Sequence, residues 1–241
     1  MSPRTVNAAV VIVAAGNSTR MGAASGARKP LLEIGERTLL EHSCAAFAEL
    51  DAVSALVIVA HVDDIERIRA LAKRTRALAK VVAVVPGGAQ RTDSVRLGVA
   101  ALPRDIEVVL VHDAARPLIR SHVIASAIEV AARDGAALVA VPVRDTLKSA
   151  PDGLRASATI EREHLWAAQT PQAFRASVLR DLLARAASDG VSATDDAALH
   201  ERYLGPVTLV RGDESNLKIT TPEDLALAQA LFALRAKDDC S

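Results

Sequence analysis

The sequence predicts an α/β fold, a mainly parallel β-sheet with helices packed on both of its faces. Short apolar runs alternate with longer amphipathic segments along the 241 residues, as they do in such sheets. The first run, residues 8–14, is continuously apolar, which is typical of a strand buried on both faces. Half of the residues are hydrophobic, enough to build one large core. We therefore expect a single domain spanning residues 1–241.

Apolar runs and helical periodicity place the individual elements. The predicted strands lie at residues 8–14, 53–60, 81–85, 108–111, 137–141 and 207–210. The predicted helices lie at residues 38–50, 62–78, 121–134, 176–187 and 222–237, with another opening within residues 88–98 and a short one starting at residues 194–196. Capping residues support three of the helix starts: Thr92 or Asp93, Thr194, and Thr221 followed by Pro222.

Residues 143–160 break this alternation. The segment is polar, and a Pro-Asp-Gly turn at residues 151–153 separates two short arms, a pattern that predicts an extended β-hairpin. Such a hairpin, called the arm below, has little core of its own, so we expect it to rest on a second subunit. An ordinary flap on its own subunit is the alternative.

Composition excludes several classes of protein. Lys plus Arg and Asp plus Glu number 29 each, so a general nucleic-acid or anionic-membrane partner, which would need a basic surface, is not expected. Only two cysteines occur, Cys44 and Cys240, which argues against a disulfide framework or a zinc site. The N-terminal apolar run is shorter than a membrane span and enters a charged loop, which favours a first strand over a signal peptide. We therefore expect a cytoplasmic protein.

The loop after the first strand, residues 17–28, is the leading candidate for a phosphate site. Small residues precede it, at Ala14, Ala15 and Gly16, so a ligand could approach the backbone N–H groups. Arg20 and Lys29 would add positive charge where phosphoryl transfer accumulates negative charge. Neither GxxxxGK[ST] nor GxGxxG can be written here, and a plain surface loop with two cations is the alternative.

Two further features fall at predicted strand ends. Gly87 and Gly88 precede a helix and permit close approach of a ligand, although a well-capped helix start explains them equally well. Asp113 ends a buried strand, where ligands bind in open α/β sheets, and is a candidate to hold a divalent cation that bridges phosphates. The alternative is that Asp113 simply pairs with Arg116. His112 is predicted to pack or hydrogen bond, since no second His or Cys lies at metal-ligand spacing.

Seven motifs in order along the chain carry a family resemblance. They are AAGNSTRMG with Lys29, GGAQRTDSV, VHDAARP, VPVRDTLK, Arg162 with LWAAQTPQAF, TDDAAL, and GDESNLKITTPEDLALA. With these motifs the chain resembles the 2-C-methyl-D-erythritol 4-phosphate cytidylyltransferases of the non-mevalonate isoprenoid pathway. The first motif is shared by many sugar-nucleotide transferases, whereas HDAARP, QTPQ and NLKIT are more specific. The resemblance spans residues 10–229.

The resemblance implies that CTP and a sugar-alcohol phosphate, methylerythritol 4-phosphate, give the CDP-linked alcohol and pyrophosphate. It implies a Rossmann-like nucleotidyltransferase sheet, Mg²⁺, and a homodimer whose arms reach the partner's site. By position, the residues that stabilise the transition state would be Arg20 and Lys29, with Arg28 as a competitor for the second place. Arg162 and Lys218 would position the sugar phosphate. The nucleotide pocket would contain Ala14, Ala15, Gly16, Gly88 and Ser94. The remaining substrate surface would contain Asp113, Ala114, Arg116, Thr146 and Thr170.

The implied nucleophile, a phosphate monoester oxygen, is already an anion and needs no general base. No Ser–His–Asp or Cys–His set in the sequence suggests one. Positioning and electrostatics should therefore supply nearly all of the catalysis. A ribitol-5-phosphate cytidylyltransferase and a non-catalytic nucleotide-binding relative are the alternatives. A molybdopterin or sugar nucleotidyltransferase fits the first motif but not HDAARP or QTPQ.

Overall fold

A seven-stranded sheet in the order β11-β7-β10-β6-β1-β4-β5 forms the centre of the protein. The computed structural model describes residues 6–16 and 28–238. The sheet strands are β1 (Ala8–Ala14), β4 (Val53–Ala60), β5 (Val81–Pro86), β6 (Val108–Asp113), β7 (Ala136–Pro142), β10 (Trp166–Arg175) and β11 (Thr208–Arg211). Two short pairs lie outside it, β2 (Glu33–Ile34) with β3 (Arg37–Thr38), and β8 (Leu147–Ser149) with β9 (Ala158–Ile160).

The sheet is mainly parallel, as the sequence predicts. β1 is an interior strand that runs parallel to both of its neighbours, β4 and β6, and β11 runs parallel to β7. The exception is β10, which lies antiparallel between β6 and β7. We did not predict β10, because its centre carries Gln169, Thr170 and Gln172 where a buried strand is normally apolar. All three side chains are buried, so this strand brings polar groups into the interior.

Helices cover both faces of the sheet, confirming the predicted α/β class. They are α1 (Leu39–Ala48), α2 (Ile65–Ala72), α3 (Arg91–Ala100), α4 (Ser121–Asp134), α5 (Ala176–Ser188), α6 (Asp196–Tyr203) and α7 (Pro222–Asp238). Alternate residues of β1 face the two sides: Val10 and Ile12 pack with α1 and α4, and Ala9 and Val11 pack with α3 and α5. Within the described ranges, no helix has both the length and the apolar character needed to cross a bilayer.

The single helix predicted over residues 62–78 is wrong. Only α2 is α-helical there, with 3₁₀ turns on either side at Val62–Asp64 and Arg76–Leu78. Thr75 is extended, at φ −115° and ψ 124°, and its hydroxyl donates a hydrogen bond to Glu41 Oε1 at 3.0 Å. That tertiary contact favours a backbone conformation incompatible with a continuous helix.

Two of the three predicted caps are also wrong. Gln90, not Thr92 or Asp93, is the N-cap of α3, and the Thr92 hydroxyl instead accepts a hydrogen bond from the Ala193 N–H. Asp195 rather than Thr194 caps α6, accepting a hydrogen bond from the Ala198 N–H at 3.0 Å. The Thr221 cap is confirmed, since its hydroxyl accepts from the Asp224 N–H at 3.3 Å.

The arm is a two-stranded antiparallel hairpin of β8 and β9. At its turn, Asp152 Oδ1 accepts hydrogen bonds from the N–H groups of Leu154 and Arg155, both at 2.9 Å, and Gly153 has φ +70°. Leu154 at the tip is 87% exposed. The hairpin is therefore held by its own backbone and turn bonds, with most of its side chains in solvent.

Candidate functional site

A cleft of about 500 Å³ opens where β1, β4, β5 and β6 end. Carboxyl ends of parallel strands are where open α/β sheets bind ligands. The structure brings nine of the predicted site residues to this cleft from five separate stretches of sequence. They are Ala14, Ala15, Gly16, Lys29, Gly88, Ser94, Asp113, Ala114 and Lys218.

Small residues form the wall between β1 and the β5–α3 loop. A Cβ atom at Gly87 would collide with the Ala15 side chain, and one at Gly88 would collide with Asp93. The Gly88 N–H donates to Ser94 Oγ at 3.0 Å, and that hydroxyl donates to the Gln90 carbonyl at 3.1 Å. The loop is thus closely packed and internally bonded, with its glycine backbone at the cleft.

Asp113 and Lys218 form an ion pair in the cleft, with Oδ2 and Nζ 2.7 Å apart. Asp113 is 8% exposed, and its other oxygen, Oδ1, lies 3.9 Å from Arg91 Nη2. Burial alone would raise the pKa of Asp113, but Lys218 and Arg91 outweigh it and lower the pKa below its usual value. The pairing with Arg116 considered above is therefore not the arrangement observed. Arg116 instead donates to the Asn216 carbonyl at 2.8 Å.

Thr170 hydrogen bonds to the backbone of Asp113, and His112 in turn contacts Thr170. The Thr170 hydroxyl accepts a hydrogen bond from the Asp113 N–H at 3.0 Å and contacts His112 Nδ1 at 3.0 Å, while His112 Nε2 lies 3.0 Å from the Arg116 carbonyl. His112 is fully buried, and burial lowers its pKa to about 4, so the ring is neutral at pH 7. These contacts assign the proton to Nε2, with Nδ1 accepting from Thr170. The prediction that His112 packs and hydrogen bonds is confirmed.

Four predicted site residues do not line this cleft. Thr170 is 5% exposed and lies beneath Asp113, and Arg116 is half-buried against backbone carbonyls. Thr146 on the arm and Arg162 just after it are exposed. Arg20, the remaining residue, lies outside the described ranges.

The structure separates Arg28 from Lys29. Arg28 pairs with two carboxylates that follow β4, Asp63 and, at 2.9 Å from its Nε, Asp64. Lys29 lines the cleft beside Pro30. Arg28 is thus bound to the 3₁₀ turn that follows β4, and Lys29 is the cation of this pair that faces the cleft.

Sequence reasoning missed Arg91, which also lines the cleft. Arg91 is the first residue of α3, and its Nη1 donates to the buried Asp196 at 2.8 Å. A cation in the first turn of a helix opposes the helix dipole. No signal in the sequence indicated this role, because the predicted cap at Thr92 or Asp93 placed Arg91 before the helix.

The donor set fits a magnesium ion shared with a phosphate ligand. Across residues 6–16 and 28–238, no three His, Cys, Asp or Glu side chains cluster in a way that could hold a metal. Mg²⁺ is commonly bound through one or two carboxylates plus substrate phosphates rather than an all-protein cage. The ionised carboxylate of Asp113, in the lining of a cleft large enough for a phosphorylated ligand, matches that mode.

Comparison with known proteins agrees with this geometry. Residues 8–234 match the family model of 2-C-methyl-D-erythritol 4-phosphate cytidylyltransferase. Relatives of that name from Desulforamulus reducens and Halalkalibacterium halodurans are 41% and 42% identical, covering 95% and 93% of this chain and 97% and 96% of theirs. The crystal structure of that enzyme from Thermus thermophilus superposes with a TM-score of 0.76 at 36% identity, covering 92% of this chain and 97% of that one. The 4-diphosphocytidyl-2C-methyl-D-erythritol synthase structure from Anaerococcus prevotii gives 0.81 at 28%, with coverage of 95% and 97%. The chain belongs to the 2-C-methyl-D-erythritol 4-phosphate cytidylyltransferase family.

Proposed function

We propose that this nucleotidyltransferase joins CTP and 2-C-methyl-D-erythritol 4-phosphate to give 4-diphosphocytidyl-2-C-methyl-D-erythritol and pyrophosphate. The observation that carries the proposal is the convergence of Lys29, Lys218 and Asp113 on one small-residue cleft at the strand ends. Family membership over nearly the whole chain supports the choice of substrates and favours it over ribitol 5-phosphate or a purely binding role.

The wall of small residues is the place for the nucleotide. Without side chains, Gly16 and Gly88 let the ligand approach the backbone closely, and Ala14 and Ala15 leave room beside them. Ser94 fixes the Gly88 N–H through its hydroxyl and so shapes this wall from behind. The five residues together form the proposed cytidine nucleotide pocket.

The reaction is an in-line displacement at the α-phosphorus of CTP. An oxygen of the sugar phosphate forms the new P–O bond as the bond to the bridging oxygen breaks, and pyrophosphate leaves with that electron pair. Lys29, together with Arg20, is proposed to offset the charge that spreads over the transferring group. Lys218 and Arg162 are proposed to position the attacking phosphate, which its charge would otherwise repel from CTP.

Asp113 is proposed to hold Mg²⁺. When bound, the ion would neutralise part of the charge on the phosphate groups. Support comes from the lowered pKa of Asp113, which keeps the carboxylate ionised at neutral pH.

We also propose that the active form is a homodimer, with Arg162 and Thr146 serving the partner's cleft. Both are exposed at the arm, while Arg116 and Thr170 lie near Asp113 in their own subunit. Arg116, Thr170 and Ala114 are proposed to complete the substrate surface.

We also propose a cytoplasmic location. The apolar run of residues 8–14 is the buried strand β1 of the sheet, which makes it unsuited to being a cleaved signal.

A pyrophosphate-release assay tests the reaction. The purified chain with Mg²⁺ would be given each of the four nucleoside triphosphates in combination with methylerythritol 4-phosphate or ribitol 5-phosphate. We expect release only with CTP and methylerythritol 4-phosphate. Preferential turnover of ribitol 5-phosphate would establish the other alcohol, and binding of CTP without release under any combination would support a binding protein instead.

A further inference from the structure

A chain of buried polar contacts connects two motifs outside the cleft, QTPQ and TDDAAL, with the cleft wall. Gln172 Oε1 accepts hydrogen bonds from the N–H groups of Asp196 at 2.9 Å and Ala197 at 2.8 Å. Its Nε2 donates to Asp195 Oδ2 at 2.9 Å. Gln172 and Asp196 are each 1% exposed, so these bonds are shielded from water. Strand β10 therefore fixes the start of α6 and, with it, the Asp196 carboxylate.

Asp196 in turn holds Arg91. Arg91 Nη1 donates to Asp196 Oδ2 at 2.8 Å, and the Arg91 side chain is 23% exposed. A guanidinium group presents donors in several fixed directions, so it can bond to one carboxylate and face a second. The second is Asp113 in the cleft, whose Oδ1 lies 3.9 Å from Arg91 Nη2.

Asp113 is consequently shared by two cations, one at each oxygen. Lys218 Nζ contacts Oδ2 at 2.7 Å, and Arg91 approaches Oδ1. The carboxylate carries one negative charge, and the positive charge of Arg91 offsets part of it. The attraction between Asp113 and Lys218 is weaker as a result. Without Arg91, the pair of Asp113 and Lys218 would tighten, and less of the Lys218 charge would act on a phosphate.

We propose that Arg91, locked by Asp196, is a positioning residue that keeps the Lys218 ammonium available to the incoming phosphate by sharing Asp113. The inference rests on the proposed role of Lys218. It gives QTPQ and TDDAAL a shared purpose, because Gln172, Asp195 and Asp196 hold Arg91 in place.

The test variant must remove the Arg91 charge without leaving the buried Asp196 carboxylate unpaired. Truncating Arg91 alone would leave Asp196 uncompensated in the interior, a severe destabilisation. The double variant Arg91→Gln/Asp196→Asn replaces the ion pair with a neutral pair that can hydrogen bond. The matched control is Arg96→Ala, on the same helix, whose exposed side chain lies 3.7 Å from Asp93 and outside the cleft lining.

Steady-state pyrophosphate release would be measured for the wild type, the double variant and Arg96→Ala. We expect the double variant to lose about 10²-fold in kcat/KM for methylerythritol 4-phosphate, the scale of a mispositioned reacting group, with a much smaller change in KM for CTP. Arg96→Ala should match the wild type. Melting temperatures of all variants would report whether the fold is retained.

A double-mutant cycle with Lys218→Ala tests whether Arg91 acts by positioning Lys218 or by binding the substrate independently. In that background the Arg91→Gln/Asp196→Asn change should have almost no further effect, because the residue through which it acts is gone. Losses of equal size in both backgrounds, equal rises in KM for both substrates, or wild-type kinetics in the double variant would overturn the inference. Inactivity of the wild type with CTP and methylerythritol 4-phosphate would contradict the proposed function instead.

Discussion

The cleft and the arm are built in opposite ways. At the cleft and directly beneath it, the side chains of Asp113, His112 and Thr170 are almost entirely buried, and each is held by at least one partner. In the arm, β8 and β9 are three residues each and every residue of β9 is exposed. The cleft is thus assembled by one chain, whereas the arm is bound to the rest of the described chain at its base, where the exposed Arg144 pairs with Glu214. Single-chain variants test the first region, and mixed subunits are needed for the second.

The largest effect is expected from the cleft cations. Lys29→Ala and Lys218→Ala should each lower turnover about 10²–10³-fold, the usual cost of one lost transition-state donor, while the protein stays folded. Pyrophosphate release under saturating substrates measures the loss, and circular dichroism checks the fold. Lys73→Ala, at the exposed end of α2, is the control and should behave as wild type. Near-normal turnover of Lys29→Ala would contradict the role assigned to that lysine.

Mixing subunits tests whether the arm serves a partner's cleft. Lys218→Ala inactivates the cleft of its subunit, and Arg162→Ala removes the residue next to the arm that is proposed to serve the partner's cleft. Each variant alone should therefore be nearly inactive. Refolded together in equal amounts, they should recover about a quarter of wild-type activity, since half of the dimers would then contain one site with both residues intact. The same mixture made with Lys218→Ala and Lys29→Ala is the control, because both changes fall in the cleft and no subunit then offers an intact one. No recovery with Arg162→Ala would show that the arm acts within its own subunit.

Acid should destabilise the protein through His112, the buried histidine beneath the cleft. His112 has its pKa lowered by burial from 6.5 to about 4, so between these values the unfolded chain binds a proton that the native protein does not. The free energy of unfolding should therefore fall as pH falls through this window, by about 3 kcal/mol in total from this residue. Urea unfolding of wild type and His112→Asn at several pH values measures it, with the variant showing the flatter profile.

The sequence predicted the elements whose patterns are local. The continuous apolar run of β1 and the Pro-Asp-Gly turn of the arm both specify their structures without help from distant residues. Strand β10 could not be predicted in this way, since Gln172 is buried only because Asp195 and Asp196 arrive from elsewhere to bond with it. For the same reason Thr92 was misjudged as a cap, because its partner is Ala193, 101 residues along the chain.

The site residues divide in the same way, between those marked by a local sequence pattern and those whose position depends on distant residues. Ala14, Gly88 and Asp113 could be placed at the cleft from the sequence, because they end or follow predicted strands and ligands bind at strand ends in open α/β sheets. Arg91 was not, because its position depends on a carboxylate more than one hundred residues away in the chain. The roles of Thr146 and Arg162 stay predictions that rest on the family resemblance.

The smallest effect is expected for two aspartates, Asp195 and Asp152, whose carboxylates both accept hydrogen bonds from nearby backbone N–H groups. Asp195 accepts the Ala198 N–H and also the Gln172 side chain, and Asp152 accepts two backbone N–H groups in the arm turn. Asp195→Ala should lower the free energy of unfolding by about 1–2 kcal/mol through the lost helix cap. Asp152→Ala should leave global stability unchanged, because the arm turn is exposed and contributes little to the core.

Thr194→Ala is the control for the cap, since Asp195 and not Thr194 bonds to the first turn of α6. Chemical unfolding of the three variants measures all of the differences under one condition. If Asp152→Ala proved as destabilising as Asp195→Ala, the arm would have to be packed against a surface that one chain does not provide. That result would contradict an independent arm and, combined with recovery in the mixed-subunit assay, would place the arm turn in the interface itself.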